Sequence, residues 1–383
     1  MRVIYLDNNA TTRVAPEVAE AMLPYFTELY GNASSMHSFG GRLGRDIGRA
    51  REQMAELIGA SPDELIYTSC GTESDSTAIM AALQTQPEKR HIVATRVEHP
   101  ALTALCQHLE TRGYDVTMLG VDEQGRLNLD ELAASLRRDT AIVSVMFANN
   151  ETGTLFPMQR IAEIVKERDI LLHTDAVQAV GKTAVNLASL PVDYLSLSGH
   201  KLHAPKGIGA LYVRKGARFR PFLRGGHQEH SRRAGTENVP YIIGLGLAAE
   251  LARQNLDKNI LHMRRLRDKL EQGLLAISDT RVNGDPQSRL PNTSNISFKF
   301  IEGESILLHM DRHGICASSG SACTSGSLEP SHVLRAMNVP ITFIHGSIRF
   351  SLSRYTTEAD IDDTLAAMPP IISDLRAISP FSK

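Results

Sequence analysis

Seven side chains are placed where they can do chemistry. The most informative is Lys201, in Ser196-Leu-Ser-Gly-His-Lys-Leu-His-Ala-Pro-Lys-Gly-Ile-Gly209, just past an apolar strand and inside a turn that Pro205 and Gly207 bring back. A lysine held there and deprotonated can form a Schiff base with a carbonyl cofactor. A solvated loop lysine is the plain alternative, and Lys182 and Lys206 are expected to be such residues. Lys201 differs because other motifs supply what a pyridoxal ring requires. In Leu171-Leu-His-Thr-Asp-Ala-Val-Gln178, Asp175 ends a buried-looking strand, where a carboxylate can keep a pyridine nitrogen protonated. Gln178 is in reach to donate to the ring's phenolic oxygen. Capping of a following helix is the alternative for Asp175. In Tyr67-Thr-Ser-Cys-Gly-Thr-Glu-Ser-Asp75 a strand runs through a Gly turn into a helix start, so free N–H groups and the Thr72 hydroxyl suit a phosphate. The same residues would serve as an ordinary cap. His99, in Glu98-His99-Pro100, can stack on a ring face and assist proton transfer, or simply hold a turn.

The nucleophile candidate is Cys323. From Ala317 to Ser327 every residue is small, so the stretch cannot build a core, and its glycines permit a mobile loop. A cysteine there is poor for packing and good for reactivity, given a neighbouring base or cation to form the thiolate. A linker with a stray thiol is the alternative. Cys70, Cys106 and Cys316 are expected to be buried bystanders. Arg349, in Ile348-Arg-Phe-Ser-Leu352, sits within a short strand. Its guanidinium can clamp a substrate's α-carboxylate in a bidentate way, or face solvent from a strand edge.

These side chains need a frame, and short apolar runs supply it. Strands are expected at Glu64–Tyr67, His91–Thr95, Val116–Leu119, Ala141–Phe147, Ile170–His173, Tyr194–Leu197 and Ala210–Val213. Helical patterns such as Leu129–Leu136 and Gln159–Glu167 alternate with them, which argues for an α/β domain around a mainly parallel sheet. After Gly246 the pattern changes. Leu256, Ile260, Met263, Leu266, Leu270, Leu274 and Ile277 repeat at three and four, as in a long amphipathic helix. A strand at Asn295–Phe300, a helix at Glu304–Arg312, a strand at Ser347–Ser351 and a helix capped by Thr357 complete a smaller α+β domain. The expected division is a large domain over 13–255 and a small one formed by 1–12 and 256–383, which carries the Cys323 loop.

Bulk composition bounds the function. The chain has 383 residues, too many for one simple core, with 42% apolar and 22% charged residues. A formal charge of −2 offers no basic footprint for nucleic acid. No run of eighteen apolar residues exists, so no membrane span is expected. The opening Met-Arg-Val-Ile-Tyr-Leu-Asp lacks the features of a secretion signal, and with only four cysteines the expectation is a cytoplasmic protein. The cysteines lack the spacing of a zinc site, so no metal is expected.

Together these motifs make the chain resemble the cysteine desulfurases of class V, fold type I, in the nitrogen-fixation (NifS) branch. The likeness is carried by Tyr5–Thr12, Gly31-Asn32 with Ser34, Ser35 and His37, Thr68–Asp75, Asn149–Gly153, His173–Gln178, Ser198–Gly207, Arg233–Asn238 and Ser318–Pro330, in the family's order. The resemblance implies the fold-type I transferase fold, with a mainly parallel seven-stranded sheet in the large domain. It implies pyridoxal 5'-phosphate bound covalently by Lys201, with Asp175 at the ring nitrogen, Gln178 at the phenolic oxygen and His99 on the ring face. Asn150 would lie beside cofactor and substrate. Gly71, Thr72, Ser198 and His200 would hold the phosphate, joined by Thr236 from the neighbouring subunit of a homodimer. Arg349, with Asn32, would bind the carboxylate of L-cysteine, and Cys323 would carry the persulfide to an iron–sulfur scaffold protein. His230-Ser231 depart from the Arg-Gly pair expected there. A selenocysteine lyase or an aminotransferase is the nearest rival reading, and a pyridoxal-binding protein without turnover the next.

Overall fold

The computed structural model describes residues 2–319 and 329–380. Cys323 therefore lies outside the described residues. Seven strands form the main sheet: β1 (Leu65–Thr68), β2 (His91–Thr95), β3 (Asp115–Leu119), β4 (Thr140–Ser144), β5 (Leu171–Asp175), β6 (Tyr194–Ser198) and β7 (Gly209–Val213). Their order is β1-β7-β6-β5-β4-β2-β3, with β7 antiparallel to both neighbours and every other pair parallel. This is the expected α/β class. The strand expected over 141–147 stops at Ser144. Beyond it, Val145 and Phe147 still donate to the carbonyls of His173 and Asp175 (3.2 and 2.8 Å), so the chain peels away from the sheet while staying tied to β5.

Both faces of this sheet are covered, as a parallel sheet requires. Alternate residues of each strand divide between two cores. Tyr67, Val93, Val143, Leu172 and Leu195 face one, with helices α1 (Leu43–Ile58), α5 (Met158–Lys166) and α6 (Val239–Gln254). Ile66, Ile92, Ile142, Leu171 and Tyr194 face the other, with α2 (Gly71–Thr85) and α3 (Pro100–Thr111). The helix expected at Leu129–Leu136 is α4 (Leu129–Ser135), capped by the Asn128 side chain. The parallel strands all end on one edge, so the segments that follow β2, β5 and β6 emerge side by side.

A separate core joins the N-terminal Ile4 and Leu6 to Leu266, Leu270, Ile296, Phe350, Ile361 and Leu375. It packs helices α7 (Leu256–Leu275), α8 (Gly303–Arg312) and α9 (Glu358–Ile378) against an antiparallel sheet of β8 (Thr280–Asn283), β9 (Thr293–Phe298), β10 (Ser318–Ser319) and β11 (Ser347–Ser351). The strand order is β10-β11-β9-β8. Thr357 and Asp360 cap α9 reciprocally. Ile4 and Tyr5 pair in parallel with Ile315 and Cys316, which ties the N-terminal segment to the chain that follows α8.

One segment is strained. Glu229, His230 and Ser231 take φ of +47°, +56° and +62° in succession, a conformation that costs an L-residue roughly 1–2 kcal/mol each. A buried ion pair holds them there. Arg51 donates two hydrogen bonds to the Glu229 carboxylate (both 2.8 Å), which also accepts the Tyr67 N–H at 3.0 Å. Ser231 is exposed, and the hydrogen bond that glycine would forgo, between its Oγ and His227 Nδ1 at 3.2 Å, is exposed as well. Ser231→Gly is expected to raise the unfolding free energy by about 0.5–1 kcal/mol after the entropic cost of glycine is deducted. Urea denaturation measures it, and a midpoint at or below the parent's would show that the strain is relieved elsewhere.

Candidate active site

The segments following β2, β5 and β6 and the start of α2 enclose a cavity of about 310 Å³. Lys201 ends a short 3-10 turn, Gly199–Lys201, directly after β6. Gly199 is required there, since a Cβ would come within 2.8 Å of Ile208 Cγ2 on the returning chain. The Lys201 amine is held at the cavity by the N-terminal segment, donating to the carbonyls of Asn9 (2.6 Å) and Ala10 (2.8 Å).

Asp175 is the last residue of β5 and pairs in register with Ser196 of β6, so the lysine and the carboxylate leave adjacent strands at the same edge. Its Oδ1 accepts the Val177 N–H at 2.8 Å, which leaves the other oxygen for a partner in the cavity. Burial raises the Asp175 carboxyl to about 6, against the Val177 hydrogen bond and Lys201, which hold it down. Asp75 lies on the same cavity, 1% exposed, with Oδ1 unpartnered and 3.5 Å from His173 Nε2. Burial and the neighbouring Asp175 push the Asp75 carboxyl well above its ordinary range. Asp75 thus lines the site as well as belonging to the first turns of α2.

His99 precedes α3, and its Nδ1 accepts the Ala101 N–H at 3.1 Å. Burial, then Lys201 and His332, lower it to about 4. The ring is therefore neutral near pH 7, and with Nδ1 accepting, its proton resides on Nε2. His200 is likewise lowered to about 4, by burial and then by Lys201 and two further lysines. At the start of α2, Cys70 makes no side-chain cap, so the N–H groups of Gly71 and Thr72 are free of one. Gly71, Thr72, Ser198 and His200 all line the cavity.

Arg349 occupies β11, inside the small sheet, and is 4% exposed. It is not the solvent-facing edge residue of the alternative reading. Its Nη2 meets Asp7 Oδ1 at 2.9 Å and its Nη1 donates to the Asn150 carbonyl at 3.2 Å. Its Nε and the Asn150 Oδ1 are buried without partners, and both side chains line the cavity.

Several residues stand apart from these. Asn32 and Thr236 lie on exposed segments and do not line the cavity within one chain; Asn32 Oδ1 accepts the Ser34 N–H at 2.9 Å. Two expectations need correction. Lys182 is no solvated loop residue: it is 6% exposed and bonded to Gln178 and Asn9. Cys70 and Cys316 are only partly buried, and Cys70 forms part of the cavity wall; Cys106 alone of the three is fully buried. Asn9 is the residue that sequence reasoning missed most plainly. Its carbonyl accepts from both Lys201 and Gln178. The signal was an Asn pair following an apolar strand, which reads equally well as a turn.

The residues present fit a pyridoxal phosphate. The cavity is in the size range of small-molecule sites and presents an amine, a buried carboxylate, a neutral imidazole and a bare helix N-terminus. Its orphaned polar atoms on Asn150, Asp75 and Arg349 lack partners that a polar ligand could supply.

A family model for class-V aminotransferases matches residues 4–364. The chain is 64% identical to a cysteine desulfurase of Trichormus azollae over 382 residues, covering 100% of this chain and 96% of that relative. It is 57% identical over 383 residues to the cysteine desulfurase NifS of Azotobacter vinelandii, covering 100% of this chain and 95% of the relative. A solved NifS-like protein superposes with a TM-score of 0.92 at 40% identity, covering 98% of this chain and 100% of its own.

Proposed function

This chain belongs to the class-V aminotransferase family, as a cysteine desulfurase, and on that premise we propose which residues do its chemistry. The overall change is balanced: L-cysteine and the Cys323 thiol give L-alanine and a persulfide on Cys323. The cofactor is pyridoxal 5'-phosphate, whose protonated ring, when bound, supplies a sink for electrons released at the substrate's α-carbon.

Lys201 would hold that group covalently, and its amine is placed to move the substrate's α-proton. Asp175 keeps the ring nitrogen protonated. A positive ring nitrogen beside Asp175 would offset the burial that raises its carboxyl, so the ionised carboxylate and the protonated ring would stabilise each other. His99 covers the ring face with a neutral imidazole, and Gln178 donates to the phenolic oxygen. Gly71, Thr72, Ser198 and His200 take the phosphate, with Thr236 of a second copy in a homodimer. Arg349 and Asn150 take the substrate carboxylate, and Asn32 would join them from outside the single-chain cavity. The Cys323 thiolate forms the new S–S bond as the substrate's C–S bond breaks, and a proton returns to the carbon left behind.

The observation that carries this reading is that Lys201 and Asp175 face one cavity from the ends of neighbouring strands. From the NifS relative we further propose that the sulfur goes to an iron–sulfur scaffold protein, for nitrogenase maturation, in the cytoplasm. No helix among the described residues is long and apolar enough to cross a membrane.

Purified protein is expected to show a visible cofactor band and, given L-cysteine and a thiol reductant, to form sulfide and alanine in equal amounts. A band with pyruvate-dependent amino transfer instead would favour an aminotransferase. No band after incubation with pyridoxal phosphate would overturn the assignment.

A further inference from the structure

Lys182 is the buried amine that the chemistry above does not use. It follows β5 in the turn beginning at Ala176, and its isolation from water would be costly without partners. Its Nζ donates to Gln178 Oε1 at 2.6 Å and Asn9 Oδ1 at 3.3 Å. The orientation of both amides is fixed by groups that can only accept. Asn292 Nδ2 donates to the Leu352 carbonyl (3.2 Å), so the Asn9 atom it meets at 3.0 Å is the oxygen. Gln178 Nε2 donates to the Asn9 carbonyl (2.9 Å), which turns the Gln178 oxygen to Lys182. The same Asn9 carbonyl accepts from Lys201. A connected set of hydrogen bonds thus runs from Lys182 through Gln178 and Asn9 to Lys201.

A carboxamide carries two N–H donors, and Gln178 spends one on Asn9. The other remains for the cavity that Gln178 lines. A donor on the amide oxygen polarises the group and strengthens that remaining N–H. Burial pushes the Lys182 ammonium well below its ordinary range, and Lys201 and Arg349 push the same way. Charged or neutral, an amine has hydrogens enough for both acceptors.

We infer that Lys182 is a positioning residue, which grips the Gln178 carboxamide by its oxygen and aims a strengthened N–H at the phenolic oxygen of pyridoxal phosphate. The inference rests on the cofactor reading of the cavity. Lys201, Arg349, His200 and His203 all feel the Lys182 charge, so replacing it also removes a positive charge from their surroundings. A double variant separates that direct effect from one transmitted through Gln178.

The experiment titrates the visible band of the cofactor-loaded protein with pH. Lys182→Met is expected to move the midpoint up by about one pH unit, a tenfold change in proton affinity that matches the loss of one hydrogen bond's influence. Gln178→Ala should move it at least as far, and adding Lys182→Met to Gln178→Ala should move it by less than half of the shift that Lys182→Met causes alone. Lys182→Arg, which keeps a donor, should restore most of the shift. Lys182→Leu replaces Lys182→Met if the latter does not fold, as judged by circular dichroism. A wild-type midpoint in the apolar variant overturns the inference. So does a Lys182→Met shift of which half or more persists beside Gln178→Ala, because Lys182 would then act chiefly through its charge. A wild-type protein without any band would instead overturn the cofactor reading, and this inference with it.

Discussion

Lys201→Ala is expected to cut alanine formation by at least ~10³-fold, because the proposed mechanism gives this one side chain both the covalent anchoring and the proton transfer at the substrate's α-carbon. The structure suggests that the loss will be chemical rather than structural. Lys201 is only half-buried, and its amine bonds to two carbonyls of the N-terminal segment that have other partners or solvent to turn to. The Asn9 carbonyl, for one, keeps its bond from Gln178. Asp175, Gln178, the α2 N-terminus and His99 remain to hold the cofactor non-covalently. The variant should therefore fold and keep much of the cofactor in stoichiometric solution while making no alanine. Borohydride reduction followed by peptide mass spectrometry separates the two roles. Wild-type protein should carry the cofactor's mass on the peptide containing Lys201, and the variant should carry none. Turnover within tenfold of wild type would place the anchor and base elsewhere in the cavity.

The same strand-end geometry explains what was legible beforehand. His99, Asp175, Ser198 and Lys201 each follow an apolar run short enough to read as a strand, and a parallel sheet sends such ends to one edge. Thr72 was legible for the related reason that a Gly turn after β1 opens a helix. Lys182 was not, because nothing local marks it as buried. Its surroundings come from Asn9, far earlier in the chain, and from the packing of Met263 and Leu352 around the neighbouring cleft. Asp75 looks like a helix-start acid until His173 and Asp175, both on β5, close on it from the sheet. Helix α6 was missed for a different cause. Val239, Ile242, Leu245, Ala248 and Ala249 are buried, and the intervening positions are mostly apolar too, so the helical period has little contrast to show. Asn32 and Thr236 were legible only through the family likeness, and a single chain leaves both exposed.

Cys323→Ala is expected to lower alanine and sulfide formation by ~10⁴-fold, the scale of losing a nucleophile, while leaving the visible cofactor band intact. The neighbours of its segment carry the argument. On the near side, Ser318 is in register with Arg349 across β10 and β11, so the chain leaves the small sheet beside the proposed carboxylate clamp. On the far side, the Ser331 hydroxyl donates to Glu151, the residue after Asn150, and His332 Nε2 donates to the Glu98 carbonyl at 2.9 Å, one residue before His99. Both flanks of the cysteine segment are thus fastened at or next to residues that line the cavity, namely Arg349, Asn150 and His99. Flanks anchored there are consistent with the proposed attack on a substrate held by Arg349. A cavity built to hold only the cofactor would need neither anchor. Adding L-cysteine to the variant should still perturb the band, because the proposal assigns binding and proton movement to Arg349 and Lys201, which are untouched. Alanine at the wild-type rate would show that sulfur leaves by another route, and loss of the band would make Cys323 a structural residue instead.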